Sequence, residues 1–392
     1  MQSPTPSTNL PNMQPPGLFD IPLNDPLNGL VQNQLSSAFR SSSRLPYNDP
    51  DVINDSWEDT AVGYAQQKSW RVLATFSRQR LLLADKKDID TLMKLWCYRL
   101  LSLININLCQ LASAELDKLG DLFRAELQYE AFPELFPDRK GPIVPFTLQV
   151  IWARLPSYLG DNMTSIDRLY FLMSRCNQAS LAEPDKKNIW IGRIKQLSIL
   201  VVNYLIKLED FAMATETLDC LIKEVGSDPS LQHIMFRIHI YCGNLPCARV
   251  AFQNLCKSLD KETMPAFEPV LKIDESLLHM AEGNWRLAQE VITQHLNNYP
   301  KDQLAFNNLA VCYLYLCELP KAVEILQNII DTVPNGPFFE ENAYSLLSTV
   351  TNNLATLYEL ATQRHLDRKR VLLEKLHGHI GDGFDIAAFK LP

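Results

Sequence analysis

From about residue 57 onward, apolar side chains recur at i, i+3, i+4 and i+7 in blocks of 12 to 18 residues. This period is typical of helices that bury one face. Short polar breaks such as Gly226-Ser227-Asp228-Pro229 separate the blocks, and their Gly, Asp and Pro residues are typical of turns. Half-buried strand alternation is hard to find, and glycine contributes only 14 of 392 residues. The pattern therefore predicts an all-α chain whose helices are joined in hairpins.

The first 50 residues differ from the rest of the chain. They contain nine prolines, seven serines and six asparagines but only five charged residues, and they lack a helical period. Such a segment buries too little apolar surface to offset its ordering entropy, so we predict a disordered tail. Residues 18–23 (Leu-Phe-Asp-Ile-Pro-Leu) and 25–27 (Asp-Pro-Leu) form an apolar and acidic cluster within it. Two interpretations stay open: a short docking motif, or incidental apolar residues in the tail.

Four similar pentapeptides repeat in the second half of the chain. Their last residues are Ala214, Ala248, Ala288 and Ala322, at spacings of 34, 40 and 34 residues. An apolar residue follows each alanine by four positions. A 34-residue period with this pattern resembles the tetratricopeptide repeat, a helix-turn-helix unit. The small residue should let the second helix of each unit approach the first closely.

The match is best over residues 303–334, and its first-helix signature returns 45 residues later. His239 and His279 fall at the aromatic position of this signature, so we interpret them as packing residues. The predicted packing residues of these two units, besides the four alanines, are Leu309, Ala310, Tyr313, Leu354, Ala355 and Tyr358.

Weaker hairpins precede the repeats, and together they suggest seven or eight hairpins. Residues 68–71 (Lys-Ser-Trp-Arg), for example, echo residues 283–286 (Gly-Asn-Trp-Arg). Each unit of such an array is stabilised mainly by its neighbours. We predict an α-solenoid with four parts: a disordered tail over 1–50, divergent helical hairpins over 57–180, a tetratricopeptide repeat array over 190–377 and a C-terminal tail over 378–392.

Charge and composition narrow the class of protein. Lys and Arg number 37 against 45 Asp and Glu, a net charge of −8, so attraction to nucleic acid is not expected. The longest apolar stretch, residues 197–206, is about half of the roughly 20 residues that cross a bilayer, so we predict a buried helix and no direct membrane insertion. Nine scattered cysteines favour reduced core thiols in the cytosol, and no secretory signal is visible.

Known catalytic and metal-binding motifs are missing from the sequence. The sequence contains no phosphate-binding loop, no HExxH, no GxSxG and no CxxC. His233, His239, Cys242 and Cys247 cluster along the chain, but the separation of the cysteines does not match zinc-site spacing. We therefore predict a protein that is not an enzyme and that needs no metal or cofactor.

Two groups of residues are candidates for partner binding. Arg364, Arg368 and Lys369 form a basic stripe on the last helix, which suits either a solvated face or an acidic partner. Asn308 and Asn353 stand where tetratricopeptide clamps for C-terminal carboxylates carry an asparagine. The lysine that accompanies it one turn earlier is replaced by Leu304 and Thr349.

Several strings beyond the repeat pattern resemble a known family. They are residues 136–141 (Phe-Pro-Asp-Arg-Lys-Gly), 155–160 (Leu-Pro-Ser-Tyr-Leu-Gly), 308–316, 369–374 and 381–384 (Gly-Asp-Gly-Phe). Across roughly residues 57 to 392, the chain resembles the family of subunit 12 of the trafficking protein particle (TRAPP) complex, also called tetratricopeptide repeat protein 15.

The resemblance implies a non-catalytic subunit of a TRAPP III assembly. In that family's assembly, a core of small subunits promotes nucleotide exchange on a Rab GTPase in endoplasmic reticulum to Golgi transport and autophagy. The expected partners are other TRAPP subunits, with an indirect link to a Rab GTPase. The expected location is cytoplasmic and peripheral at the endoplasmic reticulum-Golgi intermediate compartment and Golgi. The main alternative is a tetratricopeptide adaptor that binds peptides, such as a co-chaperone.

Overall fold

The computed structural model describes residues 17–22, 25–35, 56–133, 136–226, 228–332 and 341–392. Within these ranges the chain forms 17 α-helices and a few short 3₁₀ turns. The only β-type pairing in the described residues is an isolated bridge between Gln128 and Pro142. The prediction of an all-α fold is therefore confirmed.

The chain forms two compact units. Of the described residues, those within 1–25, 43–174 and 380–384 belong to unit 1, and those within 26–42, 175–379 and 385–392 belong to unit 2. The helices of unit 1 are α2 (Trp57–Gln66), α3 (Trp70–Leu83), α4 (Ile89–Asn105), α5 (Cys109–Leu119), α6 (Phe146–Tyr158) and most of α7 (Asn162–Ala182). The helices of unit 2 are α1 (Pro26–Gln34), α8 (Lys187–Lys207), α9 (Phe211–Val225), α10 (Pro229–Tyr241), α11 (Leu245–Ser258), α12 (Met264–Ala281), α13 (Trp285–Asn298), α14 (Gln303–Tyr315), α15 (Leu319–Asp331), α16 (Glu341–Ala361) and α17 (His365–Leu376).

The core of unit 1 is built around the antiparallel pair α3 and α4. Phe76 of α3 and Trp96 of α4 are fully buried, as are the leucines one turn from Trp96 at positions 92 and 100. α5 and α6 add Leu116 and Leu148 to the same cluster. Burying a side chain of this size stabilises the fold by about 1.5–3 kcal/mol.

In unit 2 the helices form hairpins, and each hairpin packs on the next. The four repeat alanines lie in the first turns of α9, α11, α13 and α15, and none of them has any exposed surface. A side chain of one carbon allows the paired helices to approach closely at these points. Among the other predicted packing residues, Leu309, Ala310, Leu354, Ala355 and Tyr358 are buried, and Tyr313 is half-buried.

Seven of the hairpins use the same turn. In each turn, the residue two positions before the second helix has a positive φ. The backbone amide of the next residue donates a hydrogen bond of 2.8–3.0 Å to the carbonyl five positions before it. This is the 6→1 bond of a Schellman C-cap. The positive-φ residues are Lys68, Asn107, Gly160, Glu209, Gly243, Gly283 and Cys317. The turn is therefore common to the divergent hairpins and to the recognisable repeats.

Four of these positions carry a side chain where glycine is normally preferred. Glu209 has φ of 60° between α8 and α9, a conformation that costs an L-residue roughly 1–2 kcal/mol. We expect Glu209→Gly to raise the free energy of unfolding by about 0.5–1 kcal/mol, since the relief of strain exceeds the added entropy of the unfolded chain. Denaturant unfolding should show this gain, whereas Glu216→Gly, in the exposed middle of α9, should lose about 1 kcal/mol. Equal losses in both variants would contradict the strain argument.

Two stretches of the predicted N-terminal tail have defined positions, which corrects the prediction for them. Residues 17–22 pack in unit 1, where Leu18 is buried in the core. α1 packs in unit 2 against α17 and a 3₁₀ turn (Ile386–Phe389), and it buries Leu27 and Val31. The burial of these few apolar side chains stabilises the two stretches, although the average composition of residues 1–50 is polar. The other residues of 1–50 lie outside the described ranges.

Several residues of the predicted C-terminal tail, 378–392, pack against the rest of the chain. Ile380, Phe384 and Phe389 are buried. In unit 1, the backbone amide of Asp382 donates to the carbonyl of Lys68 over 2.9 Å. A Cβ at Gly383 would lie 2.4 Å from the carbonyl oxygen of Asn105, so only glycine fits there. This close approach explains why the Gly-Asp-Gly-Phe string has glycine at position 383.

α8 is a long helix with a largely apolar sequence. Together with the preceding turn, residues 184–207 are long and apolar enough to cross a membrane by length and composition, and 33% of the most apolar window is buried. Core helices of soluble proteins pass the same test. Here Leu197, Val201 and Leu205 are buried along one side of α8, which packs against α9.

Candidate protein-interaction surfaces

Aromatic residues meet at the turn ends of successive hairpins in unit 2. The first residue of α13, Trp285, stacks on the last residue of α14, Tyr315, with ring centroids 3.9 Å apart and planes 2° from parallel. Phe211 and Tyr241 occupy the same positions in α9 and α10, and their rings meet edge to face at 5.8 Å. The contact therefore occurs twice at equivalent positions, each time between one hairpin and the next.

We call these positions the turn-edge residues: Phe211, Tyr241, Leu245, Trp285, Tyr315, Leu319 and Leu360. Tyr241 is 73% exposed and Tyr315 is 58% exposed, and Leu360 is exposed to a similar degree. Large aromatic side chains that combine an apolar ring with a hydroxyl are enriched at protein interfaces and often dominate their energetics. The turn edge of unit 2 is thus a candidate protein-binding surface.

The two asparagines proposed for a carboxylate clamp are placed differently from each other. Asn308 is buried within α14. Asn353 of α16 donates from Nδ2 to Oδ1 of Asn307 over 2.9 Å, so its amide links two hairpins. The residues at the lysine positions, Leu304 and Thr349, are exposed but carry no charge. The arrangement does not supply the cationic partner that a carboxylate clamp requires, and no observation favours the co-chaperone alternative.

The predicted basic stripe on the last helix divides into exposed and buried members. Arg364 is 84% exposed at its side chain and pairs with Asp367 over 3.1 Å, and Arg368 is also exposed. Lys369 has only 1% of its side chain exposed. Its Nζ donates to Glu359 and to the backbone carbonyl of Lys390, the latter over 3.0 Å. This corrects the assignment of Lys369 to a partner-binding surface, since its charge is used inside unit 2.

We therefore expect very different stability effects from substitutions at two adjacent positions of α17. Lys369→Ala should lower the free energy of unfolding by about 2–3 kcal/mol, because it removes a buried aliphatic stem and leaves the Lys390 carbonyl without this donor. Arg368→Ala should change the free energy of unfolding by less than about 0.5 kcal/mol. Urea unfolding of the two variants gives both values. Similar stability of the two variants would contradict the buried placement of Lys369.

Arg368 lines a shallow open pocket between α15, α16 and α17. Tyr358 lies in it and accepts a hydrogen bond from Nε2 of Gln327 over 3.0 Å, and Lys375 pairs with Asp331 on its rim. The hydrogen bond from Lys369 of α17 holds the pKa of Glu359 below its usual value. Lys375 and Asp331 are each about half exposed, so the charge at this face comes from both signs.

A buried carboxylate connects the first helices of two successive hairpins in unit 2, α10 and α12. Asp274 of α12 is fully buried and lies 2.8 Å from Nε of Arg237 and 3.2 Å from Nε2 of His233, both on α10. Within the described part of the chain, no three His, Cys, Asp or Glu side chains converge as a metal site would require. His239 lies near His233, Cys242 and Cys247 in the sequence. It is half-buried in the hairpin packing, and burial lowers its pKa.

The cysteines are unpaired throughout, but only some are core thiols. Cys109, Cys176 and Cys312 are buried, and burial raises the pKa of Cys312 to about 11. Cys220, Cys247 and Cys317 are exposed, which corrects the expectation of core fillers for them. Cys317 holds the left-handed turn position before α15, where a side chain must point to solvent.

No protein-family model matches the chain. The chain is 28% identical over 375 residues to the human "Trafficking protein particle complex subunit 12", covering 87% of this chain and 50% of the relative. It is 27% identical over 318 residues to the mouse protein of the same name, covering 76% of this chain and 39% of the relative. The chain thus spans half or less of the length of these relatives, and the family resemblance seen in the sequence is confirmed.

Among solved structures, a tetratricopeptide repeat protein from Parabacteroides merdae is similar to this chain. The TM-score is 0.38 and the sequence identity is 11%, over 72% of this chain and 98% of the bacterial one.

Proposed function

We propose that this protein, as a relative of TRAPP complex subunit 12, is a non-catalytic scaffold subunit of a TRAPP III-type complex. In this role it holds other subunits of a vesicle-tethering assembly and supports the activation of a Rab GTPase indirectly. The proposal includes endoplasmic reticulum to Golgi transport and autophagy as the processes served. It also includes a cytoplasmic location, peripheral at the intermediate compartment and Golgi.

The similarity to two curated TRAPP subunits over most of the chain carries the proposal. The helical hairpins of unit 2 suit this role, because stacked repeats present extended surfaces to other proteins. The turn-edge residues provide exposed aromatic side chains on that unit, and a few such anchors supply most of the affinity of a typical interface.

Affinity purification tests the proposed membership. The full chain, tagged and expressed in cells of its own organism, should recover other TRAPP subunits by mass spectrometry in reciprocal purifications. Recovery of the chain without any TRAPP subunit, in both directions, would overturn the proposal.

The turn-edge residues give a sharper prediction. Replacing Tyr241 and Tyr315 together with serine should lower the recovery of TRAPP subunits by at least about fivefold, since exposed aromatic anchors are lost. Tyr170→Ser is the matched control, because Tyr170 is an exposed tyrosine of unit 1 that lies outside the turn edge. Undiminished recovery with the double variant would assign binding to another surface and leave membership in the complex intact.

A further inference from the structure

Residues 17–22 (Gly-Leu-Phe-Asp-Ile-Pro) lie as an extended segment along α3, α4 and α5 of unit 1. They form no helix and no strand. Leu18 inserts into the unit 1 core, and Ile21 packs against the same core. We call the surface that receives them the segment groove.

The segment groove holds the backbone of the segment through long cationic side chains. Arg78 donates from Nε to the carbonyl of Leu18 over 3.1 Å, and Arg71 donates from Nη1 to the carbonyl of Pro22 over 3.0 Å. Lys118 donates to the carbonyl of Gly17. Contacts to carbonyl oxygens do not depend on which side chain the segment carries, so they suit a bound peptide.

A buried ion pair forms the centre of the groove. Arg99 and Glu115 are fully buried, and Nε of Arg99 lies 2.9 Å from Oε2 of Glu115. The pair forms hydrogen bonds to both backbone groups of Phe19. Nη2 of Arg99 donates to the carbonyl of Phe19 over 2.8 Å, and the amide of Phe19 donates to Oε1 of Glu115 over 3.1 Å. Both backbone groups of Phe19 are therefore satisfied as they would be beside a neighbouring strand.

Side chains of the segment add specificity to these backbone contacts. Nζ of Lys118 lies 3.9 Å from the centre of the Phe19 ring, a cation–π contact. Asp20 pairs with Arg78 over 2.9 Å while remaining largely exposed. The groove thus distinguishes an apolar residue, an aromatic residue, an acidic residue and a second apolar residue before proline.

We propose that the segment groove is a binding site for extended peptides of the pattern apolar, aromatic, acidic, apolar, proline, and that residues 17–22 are its ligand in cis. A peptide of this chemistry from another chain binds there when the cis segment is released. The proposal does not depend on the function proposed above. A ligand on the same chain competes at an effective concentration that free peptide rarely matches, so the cis segment blocks the site in the resting chain.

The test uses the full chain and a labelled peptide copying residues 15–24. In the first variant, Leu18→Asp with Ile21→Asp disables the cis ligand and leaves the groove residues unchanged. Fluorescence anisotropy should show peptide binding to this variant with a Kd of order 10 μM, about −7 kcal/mol, and at least about tenfold weaker binding to the unmodified chain.

Two controls make the result specific. A scrambled peptide of the same composition should not bind. Adding Arg78→Ala to the first variant should weaken binding at least about fivefold, because the contacts to the Leu18 carbonyl and Asp20 are lost. Absence of binding by a folded first variant, or equal binding of the scrambled peptide, would overturn the proposal.

A measurement on the unmodified chain covers the case in which the first variant does not fold. Hydrogen exchange should show the Phe19 amide protected, yet exchanging faster than the amides around Trp96 in α4, because the segment leaves the groove without unfolding of unit 1. If both sets of amides exchange together at the rate of global unfolding, the segment is an integral part of the core and the proposal is wrong.

Discussion

Replacing Arg99 with methionine should lower the free energy of unfolding of unit 1 by about 3–5 kcal/mol. The guanidinium is fully buried and donates hydrogen bonds to both carboxylate oxygens of Glu115. It also donates to the backbone carbonyls of Ala74, at 2.9 Å, and Phe19. Methionine fills most of the space but leaves a buried carboxylate without its counter-charge. The loss of stability therefore comes mainly from the unpaired carboxylate of Glu115 and from the two carbonyls that no longer have a donor.

A double-variant cycle separates the charge from the packing. Arg99→Met with Glu115→Leu should recover about half of the loss, because the uncompensated carboxylate is gone while the two backbone carbonyls still lack their donor. Lys94→Met is the surface control: Lys94 pairs with Glu58 at 2.8 Å, both groups are about half exposed, and its removal should cost less than about 1 kcal/mol. Urea unfolding of the unmodified chain, of Arg99→Met and Glu115→Leu alone and of the double variant gives the coupling energy. Additive losses for Arg99 and Glu115 would show that the ion pair is not the source of the effect.

The sequence could not predict this ion pair. Arg99 and Glu115 lie on different helices, 16 residues apart, and neither belongs to a repeated pattern. The third participant, Phe19, is 80 residues from Arg99, within a segment whose average composition predicted disorder. Composition measures a whole segment, whereas docking depends on two or three apolar side chains such as Leu18. The Leu-Phe-Asp-Ile-Pro cluster was the only local signal for it.

Repeated features were predictable, because each copy supports the others. The alanine register places four small residues at equivalent helix starts, and all four are buried. Glycine marks the shared turn in the sequence at Gly160, Gly243 and Gly283. At Glu209 and Cys317 the same turn is formed by residues that do not favour positive φ, since the packing of the two helices imposes it. Lys369 was misplaced because a lysine among charged residues is normally solvated, and its acceptor at Lys390 lies in a segment without helical period.

Ala322→Trp is expected to have the largest effect in unit 2, lowering the free energy of unfolding by several kcal/mol, roughly 3 or more. Ala322 has no exposed surface at the start of α15, where the helix packs closely on α14. A tryptophan adds a large ring where the two helices are in close contact, so we expect it to push the pair apart. Repeat units depend on their neighbours for stability, and the disturbance should extend to the α13–α14 contact as well.

Lys321→Trp is the matched control for this prediction, because it introduces the same side chain one position earlier, where the lysine is about 60% exposed. A helix places adjacent residues about 100° apart, so the control side chain points to solvent and should change the free energy of unfolding by less than about 1 kcal/mol. Thermal and urea unfolding of both variants test the register directly. If Ala322→Trp retains the stability of the control, the alanine does not mark the close approach of the helices, and the assigned alignment of all four repeats is wrong.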